Sequence, residues 1–269
     1  MNAQSRITLR SGNTMPIMGL GTWQLTQATA ATVAKALELG YRLIDTSGDY
    51  GTQPGVGQGI EDSGMDRDDV YLVTKVEETE DAYESTREDL QELDLEYADL
   101  MLIHRPPADE VGLDLWEGLI RAKGEGLTRD IGVSNYSIDQ IQALIDATGE
   151  VPVVNQIEWT PFGHSREMLG YCQENGIIMQ SYSPLTRQER LRNDTLERLA
   201  GAYGKTPAQL IIRWNIQLGN VPIIKANHEA HLRENLDVFD FSITDRDMEA
   251  ISALNEEYSA LGSLPYVQH

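Results

Sequence analysis

Eight times along this chain, a short apolar run gives way to a stretch whose apolar residues recur at helical spacing. The runs predict strands over 17–23, 43–45, 70–75, 98–104, 130–133, 153–157, 177–182 and 221–225. Helices are predicted over 26–39, 55–63, 82–93, 113–125, 137–147 and 166–175. Two more follow over 195–203 and 206–218, then one over 228–235 and a last one over 244–254. Eight strand–helix units are the arithmetic of a (β/α)8 TIM barrel. Ser11-Gly12-Asn13 between apolar flanks reads as the turn of an N-terminal hairpin, expected to cap the barrel bottom. No linker, low-complexity run or shorter repeat interrupts the pattern, so a single domain over 1–269 is expected. An open doubly wound sheet would need a glycine-rich phosphate turn after its first strand. Gly19-Leu20-Gly21 lacks the third glycine and runs into Thr22-Trp23.

Charge narrows what such a barrel can bind. The chain carries 43 acids and 21 bases, of which five are lysines, for a net charge of −22. An acidic surface repels nucleic acid and anionic lipid, so neither is an expected partner, and an anionic ligand must be met by a local basic cluster. An acid-rich, lysine-poor surface also suits high salt, where screening relieves self-repulsion. No stretch approaches the roughly 20 apolar residues of a membrane span, and residues 1–6 lack the apolar core of a secretion signal. The single cysteine, Cys172, sits in a helical pattern and is expected in the core. It excludes an intrachain disulfide and, with no leader in view, points to the cytoplasm.

Catalytic groups of such barrels sit at the C-terminal ends of the strands. Those ends carry Trp23, Asp45, Lys75, His104, Ser134-Asn135, Gln156, Tyr182 and Lys225. Each has a plain structural reading. Asp45 or Thr46 could cap the next helix, a strand-end lysine is often a surface group, a lone histidine is often a satisfied core residue, and Tyr182 could plug its strand end. Asp45, Tyr50, Lys75 and His104 on three successive strand–loop units argue for a site. The acids and histidines show no metal-ligand spacing in sequence, and no metal is expected.

The same residues carry a family likeness. Asp45-Thr46 with Tyr50-Gly51, Val73-Thr74-Lys75, Ile103-His104-Arg105-Pro106, Gly132-Val133-Ser134-Asn135, Asn155-Gln156-Ile157-Glu158 and Tyr182-Ser183-Pro184-Leu185 resemble the aldo-keto reductase superfamily. The likeness runs in register from Gly19 to Asn235 and is nearest to the small microbial members. It implies a (β/α)8 barrel that binds NADPH, less often NADH, and reduces the carbonyl of an aldehyde or ketone. Tyr50 would donate the proton, with its pKa, about 10 when free, lowered by the Lys75 ammonium. Asp45 would hold Lys75 charged, and His104 would orient the substrate oxygen or assist the proton transfer. Ser134, Asn135 and Gln156 would bind the carboxamide, and Tyr182 would stack on the nicotinamide. Ser183 and Leu185 would contact the pyrophosphate, with help from Gln188 or Arg190.

Two parts depart from the family pattern. Lys225 is kept, but Ala226 replaces the usual serine before Asn227, and His231 stands where an arginine for the 2′-phosphate is expected. A mostly neutral histidine cannot fork onto phosphate as arginine does, and Arg233 would point off that helix face. Glu234 and Asn235 match the adenine-binding pair. Weaker NADP preference and dual use of NADPH and NADH are therefore expected. In the substrate pocket Trp23 is the expected aromatic wall, with Trp159 and Phe162 as further lining. The residue after the histidine is Arg105, which would pair with Asp109 or Glu110 or anchor a substrate carboxylate.

The resemblance implies a small carbonyl compound as partner and a monomer or weak homo-oligomer. Two other functions are weighed. One is a barrel lyase or aldolase using Lys75 as a Schiff-base amine; the other is a weakly active cofactor-binding regulatory subunit.

Overall fold

A computed structural model of the chain describes every residue except 1, 26, 80, 109, 186, 187, 263 and 267–269, and the side chain of Gln188. Thr26 as a helix start, Asp109 as an Arg105 partner and the Gln188 side chain as a phosphate contact thus lie outside the described residues.

The elements run β1 (Arg6–Thr8), β2 (Thr14–Pro16), β3 (Gly19–Gly21), α1 (Thr29–Leu39), β4 (Leu43–Asp45), α2 (Gln53–Asp62), β5 (Tyr71–Val76), α3 (Ala82–Leu93), β6 (Ala98–Ile103), α4 (Leu113–Gly124), β7 (Thr128–Ser134), α5 (Ile138–Thr148), β8 (Val154–Glu158), α6 (Arg166–Glu174), β9 (Ile178–Tyr182), α7 (Asp194–Tyr203), α8 (Pro207–Gln217), β10 (Val221–Ile224), α9 (Glu229–Leu236) and α10 (Asp245–Ser252). Strands β3 to β10 close into a parallel barrel in chain order, and β1 pairs antiparallel with β2. Local chemistry accounts for the helix starts. Ser137 and Gln140 form a capping box on α5, Thr206 and Gln209 another on α8, and the Asp81 side chain accepts from two backbone N–H groups of α3. Helix α2 begins two residues before the predicted start, because Pro54 sits in its first turn, where no N–H partner is needed. Strand β7 begins two residues early, because Thr128 extends the ladder opposite Ala98.

Successive strand side chains face opposite sides, and that period of two sorts the core into layers. Leu43, Val73, Leu100, Leu102, Val154 and Ile223 point inward and pack on one another inside the barrel. Ile44, Leu72, Ile103, Val133 and Ile157 point outward beneath the helices. Met15 of the hairpin is fully buried against the inward cluster at the strand starts, so the hairpin closes the barrel bottom. Cys172 is buried in the outer cluster, where its surroundings push the thiol up to about 12. No helix among the described residues is long and apolar enough to cross a membrane.

Candidate active site

Followed upward, the inward rows change character at one level. Leu43 is followed two residues on by Asp45, Val73 by Lys75, Leu102 by His104, Val154 by Gln156 and Ile223 by Lys225. One inward position later on each strand, the packed interior gives way to a cavity of about 1000 Å3 at the C-terminal ends. That volume is at the upper end of the range for small-molecule and cofactor sites. Asp45, Tyr50, His104, Arg105, Asn135, Gln156, Tyr182, Lys225 and Trp23 all line it.

Lys75 is fully buried at the floor. Its ammonium has three protons to donate. They go to Asp45 Oδ1 at 2.8 Å, the Thr46 carbonyl at 2.7 Å and the Tyr50 hydroxyl at 3.5 Å. Burial is the largest influence and acts to lower the Lys75 pKa, but Asp45 and Tyr50 outweigh it, and the net direction is upward. The second oxygen of Asp45 accepts from Gln156 Nε2 at 2.7 Å. Asp45 is therefore a charge partner, and the capping alternative fails. The turn Gly48–Tyr50 and the N-terminus of α2 begin without side-chain caps.

The Tyr50 ring stands edge-on to His104, with centroids 5.7 Å apart. Its hydroxyl departs from expectation in one respect. Burial raises its pKa, Lys75 opposes this, and the net direction is upward rather than downward. The phenol is thus firmly protonated at neutral pH. His104 is pushed down to about 4, by burial first and then by Lys75, and its ring is neutral at pH 7. Its Nδ1 lies 2.6 Å from Glu77 Oε1 and 3.7 Å from Asp49 Oδ1. The sequence reading missed both acids, although Glu77 continues the inward row of Val73 and Lys75. Together these three offer donor atoms within 4.8 Å of one another, a grouping that linear spacing hid. The 2.6 Å separation is a hydrogen bond. Two ligands of one tetrahedral zinc ion, each about 2.0–2.1 Å from it, stand about 3.3 Å apart.

With this geometry in hand, the relatives are informative. The sequence profile of the "Aldo/keto reductase family" matches residues 17–256. The chain belongs to the aldo/keto reductase family. An aldo-keto reductase of Mycobacterium marinum is 41% identical over 256 residues, 93% of this chain and 91% of that one. An aldo/keto reductase structure from Brucella melitensis superposes with a TM-score of 0.89 at 36% identity, covering 94% of this chain and 99% of that one. A Bombyx mori aldo-keto reductase, solved in complex with NADP, gives 0.90 at 32% identity, with 96% and 95% covered. Family membership makes this reductase an oxidoreductase.

The remaining residues of the reductase fall into three groups. Asn135 has outward phase on β7, but its φ of +62° turns it into the cavity, where its Oδ1 accepts from the Tyr182 hydroxyl at 2.8 Å. Ser183 and Gln24, both on the wall, are also left-handed, with φ of +48° and +60°. Strained non-glycine backbone collects at functional sites. Gln156 gives its amide hydrogens to Asp45 and Gln180, which leaves its carbonyl oxygen for a ligand. Leu185 lines the wall and Lys225 stands exposed on the rim, its Nζ 3.4 Å from Gln24 Oε1 and 6.0 Å from the Trp23 ring centre.

A second group lies outside this cavity. Ser134 is buried behind Asn135, donating to the backbone carbonyl of Gln156 and accepting from the Asn135 side-chain amide. Ala226 and Asn235 are buried, whereas Asn227 and His231 are exposed beyond the Lys225 rim. Glu234 accepts from Thr206 Oγ1 at 2.8 Å, and Arg233 is turned away into a pair with Glu229, as the helix phase required.

Trp159 is the clear correction. It shares the outward phase of Ile157, is fully buried in the outer cluster and packs on His164 and Tyr266 rather than lining the pocket. Phe162 is likewise buried, under the Arg190 guanidinium at 5.1 Å. Arg105 lines the cavity.

The third group went unseen in sequence. Ala260, Leu261, Leu264 and Pro265 form one wall of the cavity. Glu158, buried at the end of β8, holds this segment by accepting from Ser259 Oγ at 2.7 Å and the Ala260 N–H at 2.8 Å. The Phe162 carbonyl accepts the N–H groups of Glu256 and Tyr258, and Arg190 pairs with Glu256 and stacks on Tyr258. Irregular segments carry no period, so only the polar Glu158 at a buried strand end could have pointed to them.

Proposed function

We propose that this oxidoreductase reduces the carbonyl of small aldehydes or ketones to an alcohol with NADPH, and that it also accepts NADH. The observation that carries the reading is the single buried ammonium shared between Asp45 and the Tyr50 hydroxyl. Carbonyl reduction needs a hydride on carbon and a proton on oxygen. The nicotinamide, when bound, supplies the hydride. Tyr50 presents a protonated phenol to the cavity and hands its proton to the carbonyl oxygen. Lys75 stabilises the phenolate left behind, and Asp45 keeps Lys75 charged and aimed. Without that ammonium, burial would make Tyr50 too weak an acid to give up its proton.

The cavity residues suit a dinucleotide. Asn135 and the Gln156 carbonyl oxygen offer amide-matching groups beside the Tyr182 ring, and Ser183, Leu185 and the Lys225 rim follow outward. Ser134 acts by fixing Asn135. Lys225 supports NADPH, whereas the exposed, non-forking His231 supports a weak discrimination between the two cofactors. Arg105 serves as anchor for an anionic group on the substrate. A Schiff-base role for Lys75 is disfavoured, because all three of its protons are committed and its charged form is stabilised. The test is a panel of carbonyl compounds assayed by loss of reduced-nicotinamide absorbance with each cofactor. Turnover with NADPH and measurable turnover with NADH is expected. Strong exclusion of NADH ends the dual-use reading, and inactivity with both ends the reductase reading.

A further inference from the structure

Gln180 lies inside the barrel, two residues below Tyr182 on β9, where it accepts from Gln156 and donates to a group beneath it. We propose that Gln180 is a positioning residue for the cofactor site: it takes up the second amide proton of Gln156 and so holds the Gln156 side-chain oxygen toward the cavity, which then prefers a pyridine ring bearing a primary amide over one bearing a ketone in its place. This deepens the reductase reading and rests on it.

The contacts form a row. Gln156 Nε2 lies 2.7 Å from Asp45 Oδ2 and 2.8 Å from Gln180 Oε1, and Gln180 Nε2 lies 3.1 Å from the sulfur of Met15. All four side chains are buried. The two ends of the row fix the directions between them, because an ionised carboxylate and a thioether sulfur both only accept. Two amides in series between such ends have a single arrangement in which every contact joins a donor to an acceptor. Turning Gln156 over would set its oxygen against Asp45 Oδ2 and Gln180 Oε1. Turning Gln180 over would set nitrogen against nitrogen and oxygen against sulfur. Asp45 is itself held, because its other oxygen accepts from Lys75 at 2.8 Å. Both Gln156 amide protons are thus spent inside the protein, and Gln156 meets the cavity with its oxygen.

That oxygen accepts, so a bound ring must bring an N–H to it. The primary amide of a nicotinamide brings one. A methyl ketone at the same ring position keeps the carbonyl and loses the N–H, which leaves a shielded acceptor unmatched. Asp45 alone does not secure this preference. With one acceptor in place of two, the Gln156 amide pivots about the Asp45 bond and turns its second N–H toward the cavity, where a partner can be found. The floor then offers a donor as readily as an acceptor. Gln180 is not part of the cavity wall and acts through Gln156.

Calorimetric titration of the protein with NADP+ and with its 3-acetylpyridine analogue tests this without turnover. Wild type should bind NADP+ about tenfold or more tightly than the analogue. In Gln180→Leu, which removes the acceptor, that ratio should fall toward one, and the KM for NADPH should rise by a larger factor than kcat falls. Equal affinity of wild type for the two dinucleotides overturns the proposal even if the variant does not fold. A folded Gln180→Leu that weakens both dinucleotides alike, with the ratio undiminished, shows a merely structural role and also overturns it, while carbonyl reduction by wild type keeps the reductase reading intact. A wild type that binds neither dinucleotide removes both readings together.

Discussion

Asp45 near the upper end of the barrel and Asp99 near the lower end are both buried carboxylates held by cations, and their surroundings differ in one respect. Asp99, in the first turn of pairing of β6, accepts from Arg67 at 2.9 Å, from Arg129 at 3.3 Å and from the Leu72 N–H at 2.9 Å. Both guanidinium groups lie against the Tyr97 ring, 4.1 and 4.4 Å from its centre. Arginine forks rigidly, and two arginines share one acid, so the carboxylate is held from both sides. Asp45 has a single ammonium, and that ammonium has a phenol as its third partner beside an open cavity. The lower cluster ties a strand start to its neighbours, whereas the upper one prepares a proton. The contrast lies in redundancy rather than in charge.

Removing the proton donor should separate the two ends most sharply. Tyr50→Phe is expected to cut kcat for carbonyl reduction by about 10²–10⁴-fold, while urea unfolding stays close to wild type, because only a 3.5 Å contact is lost. Lys75→Met leaves Asp45 buried without its counter-charge and should destabilise the fold by about 3–5 kcal/mol. Chemical denaturation measures it, and a loss below about 1 kcal/mol would mean that the Gln156 bond alone suffices for Asp45.

Acid should weaken the upper end next. His104 takes its proton near 4 in the folded protein and near 6.5 when unfolded. The unfolded chain therefore gains the proton first, and stability is lost as pH falls from about 6.5 to about 4. The loss is on the order of 3 kcal/mol. His164, also pushed down by burial, acts in the same direction, so the His104 share is the part that disappears in His104→Gln when urea melts at pH 7 and pH 4.5 are compared. The smallest effect belongs to the lower end. Asp99→Asn should cost about 1–3 kcal/mol and leave kcat/KM within about twofold. A larger kinetic effect would show that the two ends communicate.

The barrel and the floor of its site were legible because both obey a period. Apolar inward rows ending in Asp45, Lys75, His104 and Gln156 can be read from residue order alone. The same rule, applied one step further, reaches Glu77 from Lys75, and applied correctly it sends Trp159 outward with Ile157. What stayed hidden was set by through-space terms. The direction of the Tyr50 shift depends on how deeply its ring is buried, and the grouping of Asp49, Glu77 and His104 depends on three separate loops meeting. The wall formed by Ala260, Leu261, Leu264 and Pro265 belongs to a segment without repeating pattern.

Among the described residues, that wall is tied to the barrel through Glu158, the Phe162 carbonyl and Arg190, and through the packing of Tyr266 on Trp159. None of them belongs to the proton-transfer group. The wall therefore behaves as an exchangeable fitting: a graft that keeps those seats can recast which molecules are admitted while the machinery beneath is left untouched.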